Sequence, residues 1–227
     1  MIYVYGLCYW ILDYAKKSVD SILKNASEPI CLIVIEGRSK NSPQFLAWGK
    51  QALKENKIQK FIAADDNCKG SGMRWAIDNF PPDPSEDFVV LTDLDLVFME
   101  DFDWIKATKE AMLSGASSSG FQLSPDNYIV PPNGGWNVNE ASYGGWLLAL
   151  KTKTFETYPR NKDLQDYLMI GHARQYGPQK QIKHRLYHLG WDSWKDDPEY
   201  FKEKNEHFNW QSALGKQINY TTYSKEG

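Results

Sequence analysis

Cysteine is scarce in this chain. Cys8, Cys31 and Cys68 are the only three in 227 residues, well separated and without a C-x-x-C pair. An odd, scattered set argues against a disulfide frame or a zinc site and suits reduced thiols in a cytosolic setting. Long hydrophobic runs are missing too. Nothing approaches the apolar length of a membrane span, and the N-terminus lacks the basic region and cleavage site of a signal peptide. Positive charge is not in excess. The formal net charge of −3 argues against a nucleic-acid partner held by a basic face. Internal repeats, low-complexity tracts and linkers are likewise absent, so residues 1–227 read as one globular domain long enough to bury a full core.

What the chain has in quantity is aromatic surface, with 9 Trp and 13 Tyr. Many of these rings belong in a core, but Trp and Tyr also make flat platforms for sugars and nucleotide bases. The first hundred residues alternate strand and helix. Ile2 to Leu7 reads as a buried strand, and Leu12, Ala15, Val19, Ile22 and Leu23 then repeat at helical spacing. Ile30 to Ile35 is a second strand, ended by Glu36-Gly37. Phe45, Trp48, Ala52 and Leu53 mark a second helix, and Ile58 to Ala63 a third strand. Gly70-Ser71-Gly72 opens a third helix, stopped by Pro81-Pro82. Repeated β-α-β units with right-handed crossovers predict a mostly parallel α/β sheet covered on both faces.

The second half is less regular. A helix is expected from Trp104 to Ser114. Ser124 to Ser142 is rich in Pro, Gly and Asn, as a functional loop would be, with Trp136 placed for acceptor contact. Tyr143-Gly144-Gly145-Trp146 leads into a strand at Leu147 to Leu150. Leu164, Tyr167, Leu168, Gly171 and Ala173 suggest a helix running to Tyr176, ended by Gly177-Pro178. Ile182 to Leu186 gives a last strand, followed by Tyr187-His188-Leu189-Gly190-Trp191. From Lys195 onward, charge is mixed with Tyr200, Phe201, Phe208 and Trp210. That pattern fits either a packed helix or an amphipathic surface in peripheral contact with a membrane or an acceptor.

The most informative stretch is Thr92-Asp93-Leu94-Asp95, directly after the apolar run Phe88 to Leu91 and before Leu96-Val97-Phe98. Strand alternation would send Asp93 and Asp95 to the same side, at a strand's C-terminal end. Ligands of open α/β sheets bind at that edge. Paired carboxylates suit a hard divalent ion such as Mg²⁺ or Mn²⁺, which keeps one or two of them plus substrate phosphates. The plainer alternative is a solvated acidic turn after a core strand.

Taken in order, these features resemble the glycosyltransferases of the GT-A fold, nearest the inverting group called family 2, over roughly residues 1 to 195. The resemblance implies an α/β fold with a nucleotide-sugar-binding half (1–98), an acceptor and catalytic half (99–195) and a C-terminal extension (196–227). It implies donor contacts at Glu36, at Lys69, Gly70 and Arg74 in the glycine-rich helix opening, at Asp93, and at Gly144 and Gly145. Asp95, with Asp93, would hold Mn²⁺ or Mg²⁺, joined by His188 as the C-terminal histidine of many such enzymes. Gln165-Asp166 falls where the family has Glu-Asp, making Asp166 the catalytic base. The donor would be a nucleotide diphosphate sugar, most often linked to uridine diphosphate in this fold, and the acceptor a glycan or other hydroxyl. Two departures stand out: Gly6-Leu7-Cys8-Tyr9 replaces the usual Pro-Thr-Tyr-Asn after strand one, and Gln165 replaces the family's glutamate.

The chemistry is consistent with this reading. Departure of a nucleoside diphosphate needs its charge neutralised, which a bound cation supplies. An oxocarbenium-like transition state, as in glycoside hydrolysis, then needs a carboxylate on the opposite face to take the acceptor's proton if configuration is inverted. Asp166 is the choice and Asp163 the fallback. A retaining enzyme is the alternative if that match fails. Two further classes stay open: a haloacid-dehalogenase phosphatase using Asp93 as nucleophile, and a non-enzymatic carbohydrate-binding module.

Overall fold

The computed structural model describes residues 1–37, 41–66, 68–123, 147–160, 162, 164, 166–191, 197–200 and 217–225, without the side chains of Lys69, Leu123, Asp166, Tyr167, Arg185 and Trp191. A nine-stranded sheet runs through both halves of the chain. Its strands are β1 (Ile2–Cys8), β2 (Ile30–Glu36), β3 (Lys60–Ala64), β4 (Phe88–Asp93), β5 (Leu96–Phe98), β6 (Ser118–Leu123), β7 (Leu148–Lys151), β8 (Gln179–His188) and β9 (Tyr220–Ser224). They lie side by side in the order β5-β8-β6-β7-β4-β1-β2-β3-β9. The block β3-β2-β1-β4 is parallel throughout, and β6 and β8 run the same way. Only β5, β7 and β9 oppose them. The mostly parallel α/β reading of the sequence therefore holds.

Two cores follow from the period-2 alternation of the central strands. Val4, Leu32, Val34, Phe61 and Val90 face one side, under α1 (Leu12–Lys24), α2 (Ser42–Lys54) and α4 (Trp104–Leu113). Tyr5, Leu7, Ile33, Ile35, Ile62, Val89 and Leu91 face the other, under α3 (Lys69–Asn79), α5 (Thr152–Thr157) and α6 (Asp166–Ala173). At Gly49 helix α2 lies close against the sheet. A Cβ there would lie 2.5 Å from Phe61 Cγ and Cδ2, and that ring is fully buried. Gly49→Ala should therefore cost about 1–3 kcal/mol by overpacking, read as a lower urea midpoint with unchanged slope.

The structure corrects the sequence reading in several places. The last helix splits into α6 and a 3-10 turn at Arg174–Tyr176, while β8 is longer than Ile182 to Leu186. β6 and α5 were not anticipated. Ser117, Ser118 and Ser119 are fully buried, and hydroxyl-rich sequence gives no apolar strand signal. The C-terminal residues also add β9 to the edge of β3, with Tyr220 stacked on Trp75 at 4.5 Å between ring centroids. Trp136, Gly144 and Gly145 lie outside the described residues, as does most of the 196–227 extension.

Candidate active site at the C-terminal edge of the sheet

The Asp93-Leu94-Asp95 stretch is not one extended strand. β4 ends at Asp93, the chain kinks, and β5 begins at Leu96 on the far side of the sheet, paired with β8. Leu94 is the pivot. It is buried over Gly6, where a Cβ would meet the leucine at 2.8–2.9 Å, and its N–H donates to Leu7 O at 2.7 Å. Glycine at position 6 is what leaves room for that side chain. The alternation argument for placing Asp93 and Asp95 on one side thus fails, because Asp93 ends β4 while Asp95 lies in the link before β5.

Asp95 is held from three directions. The N–H of Leu94 is tied to β1, and the N–H of Leu96 donates to Ser18 Oγ of α1 at 3.3 Å. Asp95's own carbonyl accepts from Leu189 N at 2.7 Å. Ser21 Oγ of α1 and Asn25 Oδ1, just past its end, accept from the N–H groups of Phe98 and Phe102. The polar side chains of α1 and Asn25 therefore satisfy a strand edge that has no strand neighbour on that side.

β8 delivers His188 opposite Leu96, so that His188 Nε2 lies 3.6 Å from Asp95 Oδ1. The histidine side chain is 6% exposed and the aspartate 18%. Asp95 Oδ1 is buried and has no hydrogen-bond partner. A buried carboxylate oxygen normally has hydrogen-bond partners, and one that lacks them is suited to be a cation ligand. A carboxylate and an imidazole side by side, at the strand edge where ligands bind, fit a divalent cation such as Mn²⁺ or Mg²⁺. Among the described residues no group of three or more His, Cys, Asp and Glu side chains forms a metal cluster. Asp93 is accordingly not a third member beside this pair, and phosphate and water oxygens would have to complete the coordination.

The remaining sequence candidates surround the same edge. Glu36 ends β2 beside Cys8, is 1% exposed, and accepts from Ser42 Oγ at 3.0 and 3.1 Å. Burial, reinforced by this carboxylate, pushes the Cys68 thiol up to about 12 and raises Cys8 as well, so both stay protonated and inert. Lys69 and Gly70 open α3. Gly72 is fixed by packing, since a Cβ there would overlap Cys68 Sγ. Arg74 is buried: it donates to Pro159 O at 3.2 Å, approaches Asp78 at 3.9 Å and lies over the Tyr158 ring. It ties α3 to the segment leading into α6.

Asp166 is the first residue of α6, and Asp163 and Gln165 lie outside the described residues. The backbone still locates this helix start. Leu164 N donates to Gly70 O at 3.4 Å, which sets residue 164 against the N-terminus of α3 at the sheet's C-terminal edge. Two features of that edge carry no sequence signal. Trp10 and Leu147 have positive φ, 65° and 49°, a strained conformation for bulky residues. Trp10 is held there by Asn41 Nδ2 donating to its carbonyl at 2.6 Å and by its own Nε1 donating to Asp197 at 3.1 Å. Tyr9 and Tyr200 pack around it. Leu147 N donates to Thr92 Oγ1 at 3.2 Å.

No family model matches the chain, and no curated protein matches it in sequence. Solved structures do match in fold. One is the mannosyltransferase PcManGT from Pyrobaculum calidifontis, in complex with GDP-Man and Mn²⁺. It has 12% identity and a TM-score of 0.62 over 86% of this chain and 59% of that one. Another is TarS of S. aureus, with 13% identity and a TM-score of 0.58 over 83% of this chain and 37% of that one. This chain therefore spans less than two thirds of either protein. At such identities the likeness establishes the fold, an α/β sheet of the GT-A type.

Proposed function

We propose that this chain transfers a sugar from a nucleotide diphosphate sugar to a hydroxyl on a glycan or related acceptor, with Mn²⁺ or Mg²⁺ held by Asp95 and His188. One observation carries the proposal: Asp95 and His188 converge at the C-terminal edge of a GT-A-type sheet, with a buried carboxylate oxygen left unpaired. A bound cation would neutralise the charge of the departing diphosphate. The protein's own part is to hold the donor at the ends of β1, β2 and β4. Glu36, Asp93 and the opening of α3 at Lys69 and Gly70 lie around that donor, and Gly144 and Gly145 are assigned to it from the sequence resemblance alone. In this reading the nucleotide is uridine diphosphate.

Asp166 accepts the acceptor hydroxyl's proton as the sugar–oxygen bond to the diphosphate breaks and the new bond forms on the opposite face, giving inversion. The start of α6 adjoins the opening of α3, which supports this role. Arg74 acts through position rather than charge, bracing α3 against Pro159.

A thermal-shift panel of nucleoside diphosphates and nucleotide sugars, with and without Mn²⁺, tests the proposal. A ligand that binds only the folded state stabilises it by mass action, by about 2.7 kcal/mol at a hundred times its Kd, and so raises Tm. The expected result is a shift with uridine nucleotides that requires the metal. No shift with any nucleotide in the presence of Mn²⁺ would overturn the proposal. A shift with another base would change only the donor.

A further inference from the structure

Gly190 stands directly behind the Asp95–His188 pair, in the 3-10 turn Leu189–Trp191 that follows β8. Backbone geometry does not demand glycine there, because Gly115 and Gly177 are the glycines with positive φ among the described residues. Space does. A Cβ on Gly190 would overlap Asp95 Oδ2, and would lie 2.8 Å from His188 Cε1 and 3.2 Å from Asp95 Cγ. One added carbon thus collides with both members of the pair at once. Gly171, by contrast, has nothing within 4 Å of the same position.

The backbone cannot give way easily. Leu94, Asp95 and Leu96 are each hydrogen-bonded, to β1, to Leu189 and to α1 respectively, and His188 is in strand register with Leu96. What remains free to move is the Asp95 carboxylate, by rotation about its side-chain bonds. Rotation away from position 190 changes its relation to His188, 3.6 Å away. A collision relieved in this way is cheap for the fold and costly for a two-ligand site.

We propose that Gly190 is a positioning residue for the cation site: the missing Cβ is what lets Asp95 and His188 share one ion. The inference rests on the metal-dependent reading above and deepens it. It assigns Gly190 no contact with substrate. Its role is to set the geometry of two ligands, as residues behind metal ligands commonly do, with losses of roughly 10–100-fold in metal affinity on substitution.

The test uses the full chain and two readouts. Mn²⁺ binding is titrated by electron paramagnetic resonance of the free ion, alone and with uridine diphosphate, on wild type, Gly190→Ala and the control Gly171→Ala. Thermal midpoints are taken without metal on wild type, Gly190→Ala, Asp95→Ala and the double variant. Gly190→Ala should weaken Mn²⁺ binding at least tenfold, with Gly171→Ala unchanged. Its loss of Tm should shrink in the Asp95→Ala background, because the carboxylate it strikes is gone. If wild type and Gly190→Ala bind Mn²⁺ equally, the positioning role is wrong while the metal reading stands. If wild type binds no Mn²⁺ under either condition, both are wrong. Should Gly190→Ala fail to fold, the double variant decides: folding restored by Asp95→Ala supports the collision, and continued failure overturns it.

Discussion

Asp95→Ala will abolish Mn²⁺-stimulated binding of a nucleotide sugar and leave the metal-free protein as stable as wild type or slightly more so. The second half of that expectation is unusual for a substitution at a mostly buried polar residue. It follows because Asp95 Oδ1 has no hydrogen-bond partner to lose. His188 Nε2 stands 3.6 Å from it, beyond hydrogen-bond distance. Removing the carboxylate therefore breaks no hydrogen bond of that oxygen, leaves the main-chain ties of Leu94, Asp95 and Leu96 intact and relieves the cost of a buried oxygen without a hydrogen bond. Function moves the other way. Neutralising a leaving diphosphate is worth several kcal/mol in the transition state, so transfer should fall roughly a thousandfold or more at about 1.4 kcal/mol per tenfold. Calorimetry with and without Mn²⁺, beside a urea titration, reads both halves. Unchanged metal-dependent donor affinity would remove Asp95 from the site. A large loss of stability would mean that the carboxylate is a structural group.

The second large effect belongs to Asp166. As the proposed general base it would act on the acceptor's proton in the transition state and contribute little to donor binding. Asp166→Asn should therefore keep nucleotide-sugar affinity near wild type while transfer falls by on the order of 10²–10⁴. Wild-type product should carry inverted anomeric configuration. The fallback, Asp163→Asn, should be close to wild type in rate. Near-normal transfer by Asp166→Asn, or retained configuration by NMR, would point to the retaining alternative, in which no base at this position is needed.

The fold was legible where local pattern and tertiary role agree. β1 to β4 read as short continuous apolar runs because both of their faces are buried, α1 to α3 carry a 3.6 signal because each packs one face against the sheet, and short connections leave little freedom in their order. Legibility stopped where tertiary context overrides pattern. Ser118 and Ser119 sit in a buried strand with hydroxyls where aliphatic groups would be expected. β9 is defined by the open edge of β3 that it covers, and by Asn219 donating twice to Asp65, which nothing near residue 220 announces.

The candidate site divides in the same way. Asp95 is a candidate from its place after an apolar strand and His188 from the resemblance, and the fold brings the two side chains to 3.6 Å. The kink at Leu94 was not legible in the sequence, since it depends on the empty space above Gly6, a residue almost ninety positions away. Gly190 was passed over because a glycine two residues after a histidine looks like an ordinary turn. Its meaning appears only when Asp95 is seen packed against it. Arg74 is a donor-contact candidate by its place in the helix opening, and what sequence could not show is its hydrogen bond to Pro159 O. A guanidinium's partners are set by chain segments far from it in sequence.

The central claim is that Asp95 and His188 jointly hold a divalent cation that serves a nucleoside diphosphate. Anomalous diffraction from crystals grown with Mn²⁺ and uridine diphosphate tests it most directly. One strong manganese peak is expected at bonding distance, roughly 2.0–2.6 Å, from an Asp95 carboxylate oxygen, with His188 Nε2 and diphosphate oxygens completing the coordination. A bound nucleotide with no manganese between Asp95 and His188, or manganese held elsewhere in the chain, would contradict it.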